Sequence, residues 1–183
     1  RSDFRLVNRK VLEHARCSVG ILVDRGLGGT TQVAASNVSY FIMVPFFGGC
    51  DDREALAYGV RMAEHPGIRL MVIRFIVEPE SMGEIVRVNI EAASSKLRSS
   101  DEEFLAEFKQ NMAKDGSIKY EEKLVRNAAD TIAVLSELKC CNLFLVGRMP
   151  ECEAALDLSR SDCPELGPVG SLLTSTDFST TAS

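Results

Sequence analysis

Tyr40-Phe41-Ile42-Met43-Val44-Pro45-Phe46-Phe47 is an unbroken apolar run, followed at once by Gly48-Gly49-Cys50-Asp51-Asp52-Arg53-Glu54. A strand with one wet face alternates apolar and polar residues, whereas a continuous run of this kind is expected of a strand buried on both faces, as in a parallel sheet covered by helices. Pro45 is the dissonant residue: it removes a ladder hydrogen bond, so it is expected near the strand end or at a bulge. Asp51-Asp52-Arg53-Glu54 offers a helix cap with an acidic residue three positions on, and Leu56, Val60 and Ala63 give the helix an apolar face until His65-Pro66-Gly67 stops it. Leu70 to Val77 is a second apolar strand, interrupted by Arg74. Strand, helix, strand in this order indicates a parallel βαβ unit and an α/β fold.

Working outward, Glu78 to Ser100 is polar, and Ser99-Ser100-Asp101 is expected to cap a helix whose Phe104, Phe108 and Met112 share a face. Ile118 to Val125 alternates weakly and is charged, as an edge strand should be. Asn127 is placed to cap a further helix with Ala128, Ile132, Leu135 and Leu138 inward, leading to a strand from Asn142 to Val146 that ends at Gly147. Beyond Pro150 the pattern suggests a short helix over Glu151 to Leu158, a loop over Asp162 to Pro168, and a last helix opening at Gly170-Ser171-Leu172-Leu173. On the other side, Phe4, Val7, Val11 and Ala15 recur at helical spacing, Ser18 to Asp24 reads as a strand, and residues from Arg25-Gly26-Leu27-Gly28-Gly29 to about Ser39 read as a linker.

With 183 residues, 45% of them hydrophobic, the chain suits one compact domain, or one domain plus a fragment of another. Lys and Arg total 21 against 26 Asp and Glu, a mildly acidic balance without a basic stripe, which argues against nucleic acid as a partner. The apolar runs fall far short of the roughly 18 residues needed to cross a bilayer, and the charged first ten residues have no signal-peptide character. Six cysteines, with neither a C-x-x-C pair nor a histidine cluster, indicate reduced cytosolic thiols, and no metal site or disulfide framework.

Cys17-Ser18-Val19-Gly20-Ile21-Leu22-Val23-Asp24-Arg25-Gly26, Phe46-Phe47-Gly48-Gly49-Cys50-Asp51-Asp52-Arg53-Glu54-Ala55-Leu56-Ala57, Arg61-Met62-Ala63-Glu64-His65-Pro66, Val146-Gly147-Arg148-Met149-Pro150 and Cys163-Pro164-Glu165-Leu166-Gly167-Pro168-Val169-Gly170 closely resemble the plant cation/H+ exchanger family, in order and over nearly the whole chain. The resemblance implies a piece of the hydrophilic tail that follows a membrane-embedded antiporter and is built from regions like universal stress proteins. It further implies exchange of monovalent cations, chiefly K+, for H+ across plant endomembranes, with this piece at the cytosolic face and pH and ion homeostasis as the outcome. The implied fold is a doubly wound, mostly parallel five-stranded sheet with helices on both faces, in strand order 3-2-1-4-5. Residues 1–39 are then the last helix and strand of a preceding domain plus a linker, packed on the main domain. Residues 40–183 are a universal-stress-protein-like domain truncated before its final strand, and Ser18 to Asp24 is expected to fill the fifth position. The partners implied are the membrane antiporter domain of the same polypeptide and a second copy in a homodimer, with no direct membrane insertion of this piece.

Nucleotide-binding stress proteins carry G-x-x-G after the fourth strand, then about nine residues, then G-S or G-T, whose backbone N–H groups hold phosphates. Here Gly147 stands at the first glycine and Pro150 at the second, and Gly170-Ser171 follows only after nineteen residues, 151 to 169. Arg148 has the geometry to meet a phosphate bidentately. Gly48-Gly49 lies at the carboxyl end of the first core strand, where doubly wound folds bind ligands. Gly48, Gly49, Gly147, Arg148, Gly170 and Ser171 are therefore the candidate residues for an anion or an adenine nucleotide, ATP or AMP; the plainer reading is a tight strand-exit loop with Asp51 and Asp52 as helix caps. Gly26 to Thr30 reads as an anion nest or a flexible connector. His65 at a helix end is explained by the terminal carbonyls, and neither His14 nor His65 has a nucleophile at catalytic spacing. Ser99 and Ser100, before three acidic residues, read as a cap or as an acidophilic phosphorylation site. No catalytic residue and no G-x-S-x-G elbow is seen, so the expectation is a regulatory and assembly domain and not an enzyme, with an adenine-nucleotide sensor as the alternative.

Overall fold

The apolar run becomes β1 (Tyr40–Phe46), one of two inner strands of a parallel sheet in the computed structural model, which describes residues 2–24, 39–78, 87–112, 116–138, 140–152, 155, 157–158, 163–175 and 178. α1 (Ser2–His14) precedes it. After it come α2 (Cys50–Ala63), β2 (Ile68–Val77), α3 (Arg87–Met112), β3 (Ile118–Val125), α4 (Ala128–Glu137), β4 (Leu143–Phe144), a 3-10 turn (Pro164–Leu166) and α5 (Gly167–Thr174). The strand order is β3-β2-β1-β4, and each of the three pairings is parallel.

β1 and β2 are covered on both sides, which is why neither alternates in sequence. On one face Ile42, Val44 and Phe46 pack with Leu70 and Val72 beneath Leu56 and Ala63 of α2 and Leu105 and Phe108 of α3. On the other, Met43, Ile73 and Phe75 pack with Leu135 of α4 and with Val169 and Leu172 of α5. Phe47 stacks on Phe75 with ring centroids 4.5 Å apart. β3, at the edge, keeps only Val125 fully buried and carries charge outward, as an edge strand should. Arg74, a charged residue within β2, pairs with Glu102 of α3 and lies 3.7 Å from Glu122 of β3.

Pro45 is tolerated for a reason of parity. Asn142 N–H donates to Phe41 O (2.8 Å) and Leu145 N–H to Met43 O (2.9 Å), so the odd residues of β1 bond toward β4. Pro45 comes next on that side, past the end of the short β4 ladder, where no N–H is needed.

The five-stranded expectation is corrected to four strands among the described residues, with the first four in the expected order. Residues 18–24 have no regular secondary structure, and Ser18 Oγ donates to Glu54 on α2 (2.9 Å), which holds this segment against the helical layer and away from the sheet. β4 is confined to Leu143 and Phe144, shorter than the expected Asn142 to Val146. The last helix begins at Gly167, three residues before Gly170, and the expected loop over Asp162 to Pro168 contains the 3-10 turn. The helix expected at Glu151 to Leu158 and the linker from Arg25 lie partly outside the described residues.

Leu56 is fully buried between α2 and the sheet. Leu56→Ala removes its side chain from the centre of one core layer and lowers unfolding free energy by about 2–5 kcal/mol, to be measured by urea denaturation.

Candidate functional site

The carboxyl end of the sheet is where β1 hands over to α2 and β4 to the chain beyond it. Gly48 (φ 111°) and Gly49 (φ 102°) make the first turn, in a backbone region that side-chain-bearing residues rarely adopt. This turn points the Phe47 and Gly48 N–H groups back at Asp52, in the first turn of α2. Asp52 is 1% exposed. Its Oδ2 accepts from Phe47 N–H (2.7 Å) and Gly48 N–H (3.0 Å), and its Oδ1 accepts from Gly147 N–H (3.1 Å) at the exit of β4. One carboxylate thus ties the turn after β1 to the exit of β4, where Gly147 lies 95 residues from Asp52 in the chain.

Two more carboxylates extend the arrangement. Asp51 Oδ2 accepts from Met149 N–H (3.0 Å). Asp101, on α3, accepts from Gly49 N–H (3.1 Å) and pairs with the Arg53 guanidinium. Glu151 N–H donates to Gly48 O (3.1 Å), a backbone bond between the same two loops. Gly147 is dictated by this packing: a Cβ there would stand 2.2 Å from Asp52 Oδ1.

Burial pushes the Asp52 carboxyl from its ordinary 3.8 up to about 7, and the Asp101 charge adds to the rise, while the three backbone N–H groups pull the other way. Asp52 is therefore a buried group whose proton occupancy changes near neutral pH.

Of the residues expected to form a ligand site, Gly48, Gly49, Gly147 and Arg148 come together at this end of the sheet. Gly170 and Ser171 do not join them in a phosphate loop: both are buried in α5, where Gly170 faces Leu166 and Val146, and Ser171 Oγ donates to Cys163 O (2.7 Å). The N–H groups of Gly48, Gly49, Gly147 and Met149 each already bond to a carboxylate of the chain. An anion reaches them only by displacing Asp51, Asp52 or Asp101.

Asp51 and Asp52 are not the helix caps expected of them. The N-cap of α2 is Gly49, which has no side-chain cap bond, and both aspartates turn away to the loops. Ser99, Ser100 and Asp101 lie inside α3 and do not begin it. His65 Nδ1 accepts from Gly67 N–H (3.1 Å), shaping the turn after α2, whereas His14 is the histidine that meets a helix carbonyl, Lys10 O at 2.8 Å. Asn127 caps α4 as expected, accepting from Asp130 N–H (3.0 Å). None of the six cysteines is in a disulfide, and no cluster of three potential metal ligands occurs among the described residues. Gly26 to Thr30 lies outside the described residues.

Two family models match the chain: one described as plant cation/H(+) antiporter, C-terminal domain, over residues 39–183, and one described as plant cation/H(+) antiporter domain, over residues 1–27. Cation/H(+) antiporter 18 of Arabidopsis thaliana is 57% identical over the whole chain, and cation/H(+) antiporter 17 of the same plant is 50% identical; each match takes up 24% of the relative. The chain thus spans about a quarter of the length of these relatives. Among solved structures, the universal stress protein UspA of Lactobacillus plantarum aligns with a TM-score of 0.47 at 12% identity, over 74% of this chain and 90% of that one.

Asp52→Ala leaves three buried N–H groups unpaired and is expected to lower stability by about 3 kcal/mol or more in chemical denaturation. The pH dependence has a definite sign. Because the folded-state value of Asp52 is raised, the stability linked to its proton is complete below about 4 and is lost as pH rises through about 7. Melting temperatures measured from pH 5 to 8 should fall more steeply for the wild type than for Asp52→Asn; parallel curves would show that Asp52 does not titrate in this window.

Proposed function

The chain belongs to the plant cation/H(+) antiporter family, and we propose that it acts as the cytosolic regulatory and assembly domain of a monovalent cation (K+)/H+ antiporter at a plant endomembrane, serving pH and ion homeostasis. Family membership over the whole length is the observation that carries this reading. No helix among the described residues is long and apolar enough to cross a membrane, so this region's contribution is assigned to control and assembly, and the ion path to the rest of the polypeptide. The domain division proposed is 1–39 as the end of a preceding domain with its linker and 40–183 as the universal-stress-protein-like domain, with self-association as a homodimer.

The carboxylate-tied end of the sheet supports a regulatory role physically. Three backbone N–H groups from two loops depend on one buried carboxyl that gains or loses a proton near pH 7, so loop geometry and proton activity are linked at one residue. The adenine-nucleotide alternative would draw on Gly48, Gly49, Gly147 and Arg148, and needs the same N–H groups that the aspartates hold.

Deleting residues 39–183 from the full-length antiporter is expected to alter K+-dependent H+ flux, sorting or assembly in membranes, and a deletion that leaves all three unchanged contradicts the proposal. Asp52→Asn in the full-length protein is expected to shift the pH profile of transport, measured per amount of protein in the membrane; an unshifted profile removes Asp52 from the regulatory reading.

A further inference from the structure

Ser99 and Ser100 lie within α3 and are exposed, with Asp101-Glu102-Glu103 directly after them. Among the described residues, the apolar side chains that pack α3 on the sheet are Phe104, Leu105, Phe108 and Met112, all of which come after the two serines. The serines therefore precede this packed part of the helix, and local opening around them gives up none of these contacts.

The three acids are not equivalent. Asp101 is 8% exposed and turned inward, where it accepts from Gly49 N–H and holds Arg53. Glu102 pairs with Arg74 of β2. Glu103 is exposed, and no ion pair among the described residues uses it. A kinase with a basic substrate groove recognises its serine by a carboxylate set a few residues beyond it. Three residues after Ser99 stands Glu102, engaged by Arg74; three after Ser100 stands Glu103, open to a partner. This singles out Ser100. Its neighbour Asp101 is about 3.8 Å away from Cα to Cα, and Arg53 keeps 22% of its side chain exposed beside that aspartate. A phosphate on Ser100 is thus carried next to a guanidinium whose fork suits it.

We propose that Ser100 is the phosphorylation site of an acidophilic serine kinase, and that its phosphate draws the Arg53 guanidinium from Asp101. In the transfer Ser100 Oγ attacks the γ-phosphorus of ATP: the bond from that phosphorus to the β,γ-bridging oxygen breaks, the new P–Oγ bond forms, the hydroxyl proton passes to a base of the kinase and ADP leaves. A phosphoserine bears nearly two negative charges at neutral pH and offers more acceptor oxygens than an aspartate. Arg53 then exchanges a carboxylate for a phosphate, and Asp101 is left with Gly49 N–H. The charge on α3 is thereby passed to the turn after β1. The inference goes beyond the regulatory reading and does not depend on it, because its test reads phosphate transfer and not transport.

The full-length antiporter in its folded state is incubated with a casein-type acidophilic kinase and Mg-ATP, and phosphate is mapped by tandem mass spectrometry. Ser100 is expected to carry it, Ser100→Ala to lose it, and Glu103→Gln to slow incorporation by about tenfold, against less than about twofold for Glu102→Gln. Phosphate on Ser99 instead, incorporation only into urea-unfolded protein, or equal rates in the two glutamate variants overturns the inference. Removal of the phosphate by a phosphatase reads the second half. At equal protease resistance of the variants, Arg53→Gln is expected to speed removal by about tenfold, with Arg53→Lys in between, because the bidentate contact that shields the phosphate is lost. Equal rates in wild type and Arg53→Gln show that Arg53 does not hold the phosphate and overturn the proposal. The same peptide from plant membranes is expected to carry phosphate on Ser100, and its absence at every salt and pH tested overturns the site.

Discussion

A carboxylate without access to water has to be held by hydrogen-bond donors, and at Asp52 all three donors found are backbone N–H groups: two from the turn after β1 and one from the exit of β4. The carboxyl end of the sheet follows from this constraint. The turn must use Gly48 and Gly49 at positive φ to aim its amides inward, and Gly147 must lack a side chain because Asp52 occupies the space a Cβ would take. Asp51 and Asp101 then take the neighbouring amides of Met149 and Gly49, and Arg53 is fixed against Asp101. α2, α3 and the exit of β4 are joined at this point by carboxylate-to-amide bonds and not by apolar packing.

The arrangement has two consequences. Anion-binding capacity that glycine-rich strand exits ordinarily offer is here turned inward, spent on the chain's own side chains. The same bonds make the loops responsive to protons, since burial lifts Asp52 to about 7 while its three donors favour the charged form.

Much of the fold could be read from local pattern. β1 and β2 announce themselves as uninterrupted apolar runs, β3 as a charged edge, and α4 through Asn127, whose cap bond spans only three residues. Four strands in the order 3-2-1-4 followed from these elements and the family resemblance. The site was legible only in part: Gly48, Gly49, Gly147 and Arg148 could be placed at the strand ends, but Asp51 and Asp52 look in sequence like an ordinary capping pair. What makes Asp52 different is a partner 95 residues away, and no local spacing reports that. The Ser99-Ser100-Asp101 cap failed for a related reason, since Asp101 is used by Gly49 and Arg53 from the middle of a continuous α3. The strand expected at 18–24 has the right residues, but a strand exists only when a neighbouring edge pairs with it, and no strand of the described residues pairs with this segment.

The account stands on the loop amides being occupied from within. Calorimetric titration of the chain with Mg-ATP, and separately with AMP, near neutral pH tests this most directly. Internal occupation by Asp51, Asp52 and Asp101 predicts no saturable heat for either nucleotide; saturable binding that Arg148→Ala weakens would mean that the carboxylates yield to phosphate and would contradict the account.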